Sequence, residues 1–279
     1  MAERNIKLTI AYDGTDFLGW QLQKSGRTVQ GVMQEGLARM HGHPVHLLAA
    51  GRTDSGVHAI GQVANFRSDI DSIAPDRFRD AVNAYLPLDV RVLESQVVEP
   101  DFHARKSAFL RVYRYYTVCG PVLLPHLRHY RHWVRRSLDV ARLAEMAAAL
   151  VGEHDFTCFS AEGDTNRSKI RRVDASVFHR AGDTLVYTIA ASSFLWKMVR
   201  TIMGTFFLLE EQGLGARELR LIMDAGSRSN AGGTAPARGL FLERVVYDAE
   251  HAEGLVEEAV SAGGLAGNGI LPRASGSGY

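Results

Sequence analysis

Ile6, Leu8, Ile10 and Tyr12 alternate with Lys7, Thr9 and Ala11. A period of two gives a strand one dry face and one wet face, so this stretch must lie in a sheet covered on one side. The same grammar recurs at 45–50, 58–66, 90–98, 108–118, 170–178, 184–191 and 240–247. Between these runs the period lengthens to that of a helix. Val29, Met33, Leu37 and Met40 share one face, and Thr28 precedes them as a candidate N-cap. Residues 75–85 begin a helix on Pro75, where a missing N–H costs nothing. Residues 139–151 carry Leu143, Ala147, Leu150 and Val151 on one face, with Gly152 as the expected stop. Residues 194–212 carry Leu195, Val199, Ile202, Phe206 and Leu209, and Gly213 closes them. Strands that return on each other with a few helices between give an α+β protein with a largely antiparallel sheet. The element order of the first half recurs in the second. This predicts two similar subdomains, 1–100 and 101–248, followed by 249–279 as a mostly flexible tail, Gly/Ala/Ser-rich from Gly263 onward.

Composition limits the setting. No apolar run reaches the roughly 18–20 residues that span a bilayer. The first residues lack the basic start and apolar core of a secretion signal. Two isolated cysteines, Cys119 and Cys158, argue for a reducing compartment and a cytoplasmic protein. The formal net charge is only +1, but it is unevenly spread. No acidic residue occurs from Phe102 to Arg136, a stretch holding Arg105, Lys106, Arg111, Arg114, Arg128, Arg131, Arg135 and Arg136. Tyr113, Tyr115, Tyr116, Tyr130 and Trp133 are interleaved with those charges. Cations mixed with flat rings offer phosphate contacts and base stacking to a polyanion, while the alternative is a solvated basic face with many of the rings serving the core. Arg167, Lys169, Arg171 and Arg172 form a second basic knot. His41, His43 and His46 cluster, but no cysteine or carboxylate nearby completes a metal site, and no phosphate-binding glycine loop or nucleophile elbow is present.

The local feature richest in chemistry is Gly51-Arg52-Thr53-Asp54-Ser55-Gly56. An apolar strand runs into it, two glycines bracket it, and a cation, a hydroxyl and a carboxylate lie between them. One Asp in a loop is ordinarily a turn or capping residue. The surrounding strings decide the matter. Ala49–Ala59 resembles the signature of the tRNA pseudouridine synthase A family. So, in family order, do Tyr12-Asp13-Gly14-Thr15, Gly19-Trp20-Gln21, Gly61-Gln62-Val63-Ala64, Phe102-His103-Ala104-Arg105 and Arg111-Val112-Tyr113-Arg114-Tyr115. Phe194-Leu195-Trp196-Lys197-Met198-Val199-Arg200 and Ala235-Pro236-Ala237-Arg238-Gly239-Leu240 continue the likeness.

That resemblance implies two ferredoxin-like subdomains with helices on one face and a catalytic cleft between them. It implies Asp54 as the catalytic carboxylate, Tyr113 as an aromatic that stacks on the target base, and Arg200 as the cation paired with Asp54. Arg52 matches an arginine that helps move the base out of its stem, and Arg111, Arg114 and His58 are expected at the RNA. Members use no metal and no organic cofactor. They act as homodimers on uridines 38, 39 and 40 of the tRNA anticodon stem-loop. Trp196 and Lys197 depart from the pattern, standing where smaller or His-like residues are common. Residues 162–167 have no assigned role. Two other readings compete: a non-catalytic tRNA-binding or RNA chaperone module, carried by the basic middle, and a carboxylate-based nucleoside hydrolase.

Overall fold

A computed structural model describes residues 3–264. The chain runs β1 (Arg4–Tyr12), α1 (Val29–His41), β2 (Leu48–Ala49), β3 (His58–Ser68), α2 (Phe78–Asn83) and β4 (Val90–Val98). It continues with β5 (Leu110–Cys119), β6 (His132–Val134), α3 (Val140–Ala148), β7 (Gly152–Asp155), β8 (Ile170–Ala181) and β9 (Thr184–Ala191). Last come α4 (Met198–Glu211), α5 (Ala216–Ala225), β10 (Leu240–Val246) and α6 (Ala249–Gly264).

All the strands join one sheet, in the path β4-β1-β3-β10-β5-β9-β8-β7, with β2 on β3 and β6 on β5. The first half reads β4-β1-β3-β2, all antiparallel. The second half reads β10-β5-β9-β8, again all antiparallel. Each is a strand-helix-strand-strand-helix-strand unit with its last strand beside its first, which is the ferredoxin-like plan. The halves meet where β10 pairs in parallel with β3, through Phe241–His58 and Leu242–Ala59 alone. Further along the same edge of β3, β2 takes over at Ala64 and Asn65. The loop 51–56 leaves β2 and enters β3 at this seam, so Asp54 lies where the two halves part.

One face of the sheet carries the main core. It receives Val29, Met33 and Leu37 from α1, Phe78 and Val82 from α2, Leu143 and Met146 from α3, Ile202 and Phe206 from α4, and Leu219 and Met223 from α5. Each such side chain, fully buried, stabilises the fold by about 1.5–3 kcal/mol. Thr28 caps α1, its hydroxyl accepting from Gly31 N at 3.2 Å, and Gly42 ends that helix in the left-handed region at φ 76°. α6 packs on the reverse face, against a small cluster of Leu110, Val112, Ala175, Ala190 and Val246. Helices therefore cover one face, with a single addition behind.

Several boundaries move. Residues 75–85 split into a 3-10 turn at Pro75–Arg77 and the short α2. Only two residues of 45–50 pair as strand, while the Val45 and Leu47 carbonyls accept from the Gln34 and Gln30 side chains of α1. The helix at 139–151 stops at Ala148, and Gly152, at φ 110°, opens β7 instead of closing the helix. The helix expected from 194 starts at Met198, because Lys197 stands at φ 61° and turns the chain before it. β6, β7 and α5 are additions. The expected tail opens with α6, and the rest of it lies outside the described residues.

Candidate active site

The loop 51–56 is held almost entirely through its own backbone. Gln62 Nε2 donates to Gly51 O at 2.9 Å, Trp20 N to Thr53 O at 3.0 Å, and Val57 N to Asp54 O at 3.1 Å. Ser55 Oγ and Gly56 N both donate to Phe17 O. The Thr53 hydroxyl lies 2.8 Å from the Tyr12 hydroxyl. Two glycines make this clamp possible. A Cβ on Gly14 would come within 2.1 Å of Val57 O, and one on Gly19 within 2.6 Å of Thr53 O. Gly19 also sits at φ 95°, where L side chains are strained. The strings around Tyr12–Gly14 and Gly19–Gln21 thus form the wall that fixes the Asp54 loop from outside.

With the backbone clamped, the carboxylate points into the seam. Arg200 Nη1 donates to Asp54 Oδ2 at 2.9 Å, and the two side chains are only 15% and 18% exposed. Arg200 is itself fixed, since its Nε donates to Ala235 O at 2.8 Å and its carbonyl accepts from Ala235 N at 3.0 Å. A guanidinium in this position orients the carboxylate through a charge-assisted hydrogen bond. Asp54 Oδ1 has a second partner, the indole Nε1 of Trp196 at 3.1 Å.

Tyr113 projects from β5 on the same face of the sheet as Tyr115, and a Cβ built on Gly51 would lie 4.0 Å from its hydroxyl. Phe194 meets its ring edge-on at 5.1 Å. Burial pushes the Tyr113 phenol well above its ordinary range, and the neighbouring Tyr12 and Asp54 add to this. It is therefore a neutral, flat, apolar wall beside the carboxylate. Arg52 is exposed and has no side-chain partner among the described residues.

Three of the expected RNA contacts are placed otherwise. Arg111 is buried, and its guanidinium donates to four backbone carbonyls: Ser192 at 2.5 Å, Arg105 at 2.6 Å, Ala50 at 3.0 Å and Ala108 at 3.1 Å. It braces the strand that delivers the loop, with both terminal nitrogens committed to backbone carbonyls. Arg114 lies on the opposite face of the sheet from Tyr113, paired with Glu243 at 3.1 Å. His58 is buried, accepts from Gly14 N at 3.0 Å through Nδ1, donates from Nε2 to His129 O at 2.9 Å, and stacks on Phe241. Burial lowers its pKa despite the nearby Asp13, so it is a neutral strut. The basic middle is similarly divided. Arg136 pairs with Glu210 and Arg131 covers Tyr116, whereas Arg105, Lys106, Arg128 and Arg135 are exposed. Arg128 joins Arg238, His129, Thr15 and Gly56 around an open cavity of about 350 Å³ beside the loop.

A family model described as tRNA pseudouridine synthase matches residues 8–105 and 146–248. This chain belongs to the tRNA pseudouridine synthase family. Among its relatives is tRNA pseudouridine synthase A of Treponema denticola, 46% identical over 250 residues that make up 88% of this chain and 93% of the relative. The protein of that name from Solidesulfovibrio magneticus is 44% identical over 90% of this chain and 93% of its own length. The one from Shouchella clausii is 42% identical over 85% of this chain and 91% of its own length. As a member of the tRNA pseudouridine synthase family, the chain is an isomerase acting on uridine in tRNA. The matched spans contain Asp54, Arg200 and Trp196. Sequence reasoning treated Trp196 only as a departure from the family pattern. Its place four residues before Arg200 in the same family string was the signal that could have marked it.

Proposed function

We propose that the chain converts uridines 38, 39 and 40 of the tRNA anticodon stem-loop to pseudouridine, with Asp54 as the carboxylate that engages the nucleoside. The reaction breaks the N1–C1′ bond, turns the uracil and forms a C5–C1′ bond. C5 gives up its proton and N1 gains one, so the rearrangement is redox-neutral. A base inside a stem must first be extruded, at a cost of about a few kcal/mol. The exposed Arg52, without a side-chain partner among the described residues, assists that step at the mouth of the loop. Arg200 keeps Asp54 aimed, and the neutral ring of Tyr113 holds the detached uracil in place. The cavity between Arg128 and Arg238 takes backbone phosphate. The anticodon stem-loop and a homodimeric state rest on the family resemblance, and a cytoplasmic location rests on the two isolated cysteines, Cys119 and Cys158.

The observation that carries this reading is a single carboxylate clamped by backbone at the seam of the two halves, with a fixed guanidinium 2.9 Å away. The test is to incubate purified protein with unmodified tRNA and map pseudouridine by chemical labelling. Pseudouridine at positions 38 to 40 is the expected product. Free uracil would favour a hydrolase, and bound but unaltered tRNA would favour a non-catalytic RNA-binding module.

A further inference from the structure

Asp54 has two oxygens, and the family reading accounts for the partner of only one. The other accepts from Trp196, a residue 48% exposed beside the carboxylate. The indole is held there by a built arrangement. Asp164, whose side chain is 1% exposed, accepts from Trp196 N through Oδ2 at 2.7 Å and from Ser160 Oγ at 3.0 Å. Its other oxygen accepts from Asn166 N at 2.8 Å and Asn166 Nδ2 at 2.6 Å and pairs with Lys169 Nζ at 3.0 Å. Ala161 N closes the ring of contacts by donating to Trp196 O at 3.0 Å. Five donors to one buried carboxylate hold its pKa far below the usual range despite burial. On the other side, Lys197 adopts φ 61°, the one non-glycine residue with positive φ among those described, and this turn directs Trp196 toward the loop and starts α4. Its ammonium lies 5.0 Å from the Trp196 ring centroid. The 162–167 segment, which had no role in the sequence, is thus tied through Asp164 to the residue that touches Asp54.

We propose that Trp196 is a positioning residue for Asp54: its indole N–H fixes the carboxylate rotamer that faces the uridine, and the Asp164-centred loop fixes Trp196. This rests on the reading of Asp54 as the catalytic group. With Arg200 on Oδ2 alone, the carboxylate can rotate about its last bond. A second donor on Oδ1 removes that freedom, and reacting groups must be aligned to within a fraction of an ångström for full rate.

Two substitutions separate the N–H from the ring. Trp196→Phe keeps a flat ring and removes the donor. Trp196→His places its Nε2 the same number of bonds from Cβ as the indole nitrogen, and so keeps the donor while losing the outer ring. Steady-state turnover of unmodified tRNA is the readout, with circular dichroism confirming the fold of each variant. Trp196→Phe is expected to lower kcat by about tenfold, the lower end for a hydrogen bond to a charged group at a half-exposed site, with KM unchanged. Trp196→His is expected to recover kcat to within about threefold of the parent, on the same one-bond reasoning. Asp164→Ala should cost about as much as Trp196→Phe in the parent and little more when added to Trp196→Phe, since residues acting through one contact are not additive. Wild-type kcat in Trp196→Phe, or equal loss in the Phe and His variants, overturns the role of the N–H. Full additivity with Asp164→Ala overturns the role of the loop. Asp54→Asn is run alongside. If it turns over normally, the parent reading fails; if it is inactive while Trp196→Phe is unimpaired, only this inference fails.

Discussion

Replacing Arg111 with Met tests whether a basic residue in a basic-aromatic strand contacts RNA or braces the protein. Its guanidinium donates to four carbonyls at 2.5–3.1 Å, of Ser192, Arg105, Ala50 and Ala108. A hydrogen bond from a charged donor contributes about 1.5–3 kcal/mol, and each buried carbonyl left unpaired costs about 1–3 kcal/mol. The four bonds share one group and some carbonyls will find water, so the net loss is about 3–5 kcal/mol, well below the sum. For a chain of this size about 2 °C is lost per kcal/mol, so Tm should fall by about 6–10 °C. Because Ala50 precedes the Asp54 loop, kcat should fall as well. A residue that binds phosphate behaves differently: its removal leaves Tm alone and lowers the slope of log K against log salt by about 1. Differential scanning fluorimetry and tRNA binding at several salt concentrations measure both quantities on one preparation. An unchanged Tm with a reduced salt slope would refute the bracing role.

Other outcomes follow from the same geometry. Gly19→Ala should lower kcat by about a hundredfold, because its Cβ would approach Thr53 O to 2.6 Å and push the Asp54 loop by about an ångström; single-turnover kinetics measures this, and normal kcat would contradict the clamp. Burial and the nearby Arg238 lower the pKa of His132 to about 4, below the value of about 6.5 in an unfolded chain. Its contribution is therefore present above pH about 6.5 and is lost as pH falls toward about 4. Tm should decline across that window, and His132→Phe should flatten the decline. Arg52→Ala, at an exposed side chain, should leave Tm unchanged and lower turnover of a fully paired stem more than that of a tRNA with a mismatch at the target uridine.

The periodicity of the strands was legible because it reflects burial directly. β4 matches the expected 90–98 span, and the Thr28 cap of α1 stands where a hydroxyl before an apolar stripe predicts it. What failed was local information with a distant cause. Of 45–50 only Leu48 and Ala49 pair with β3, while the Leu47 and Val45 carbonyls go to the Gln30 and Gln34 side chains of α1. The start of α4 is set by the backbone of Lys197, which the apolar stripe continuing through Leu195 conceals. β7 is polar at an outer edge of the sheet and carries no alternation to read. At the site, Asp54 and Arg200 come together although they are 146 positions apart, and only the family strings linked them in the sequence. The misplaced residues share one cause. Charge pattern shows that an arginine is present but not which way its strand turns it. Arg111 therefore points into the protein and Arg114 to the reverse face, while Trp196 supplies a donor that no charge pattern could display.

The account depends most on the Asp54 carboxylate. Tritium release from C5 of labelled uridine in tRNA, measured for the parent and for Asp54→Asn with binding followed in parallel, addresses it directly. The asparagine keeps the shape of the side chain and removes the charge that Arg200 meets at 2.9 Å. Release is expected to fall to background while tRNA is still bound. Release at the parent rate from a variant without that charge would contradict the account.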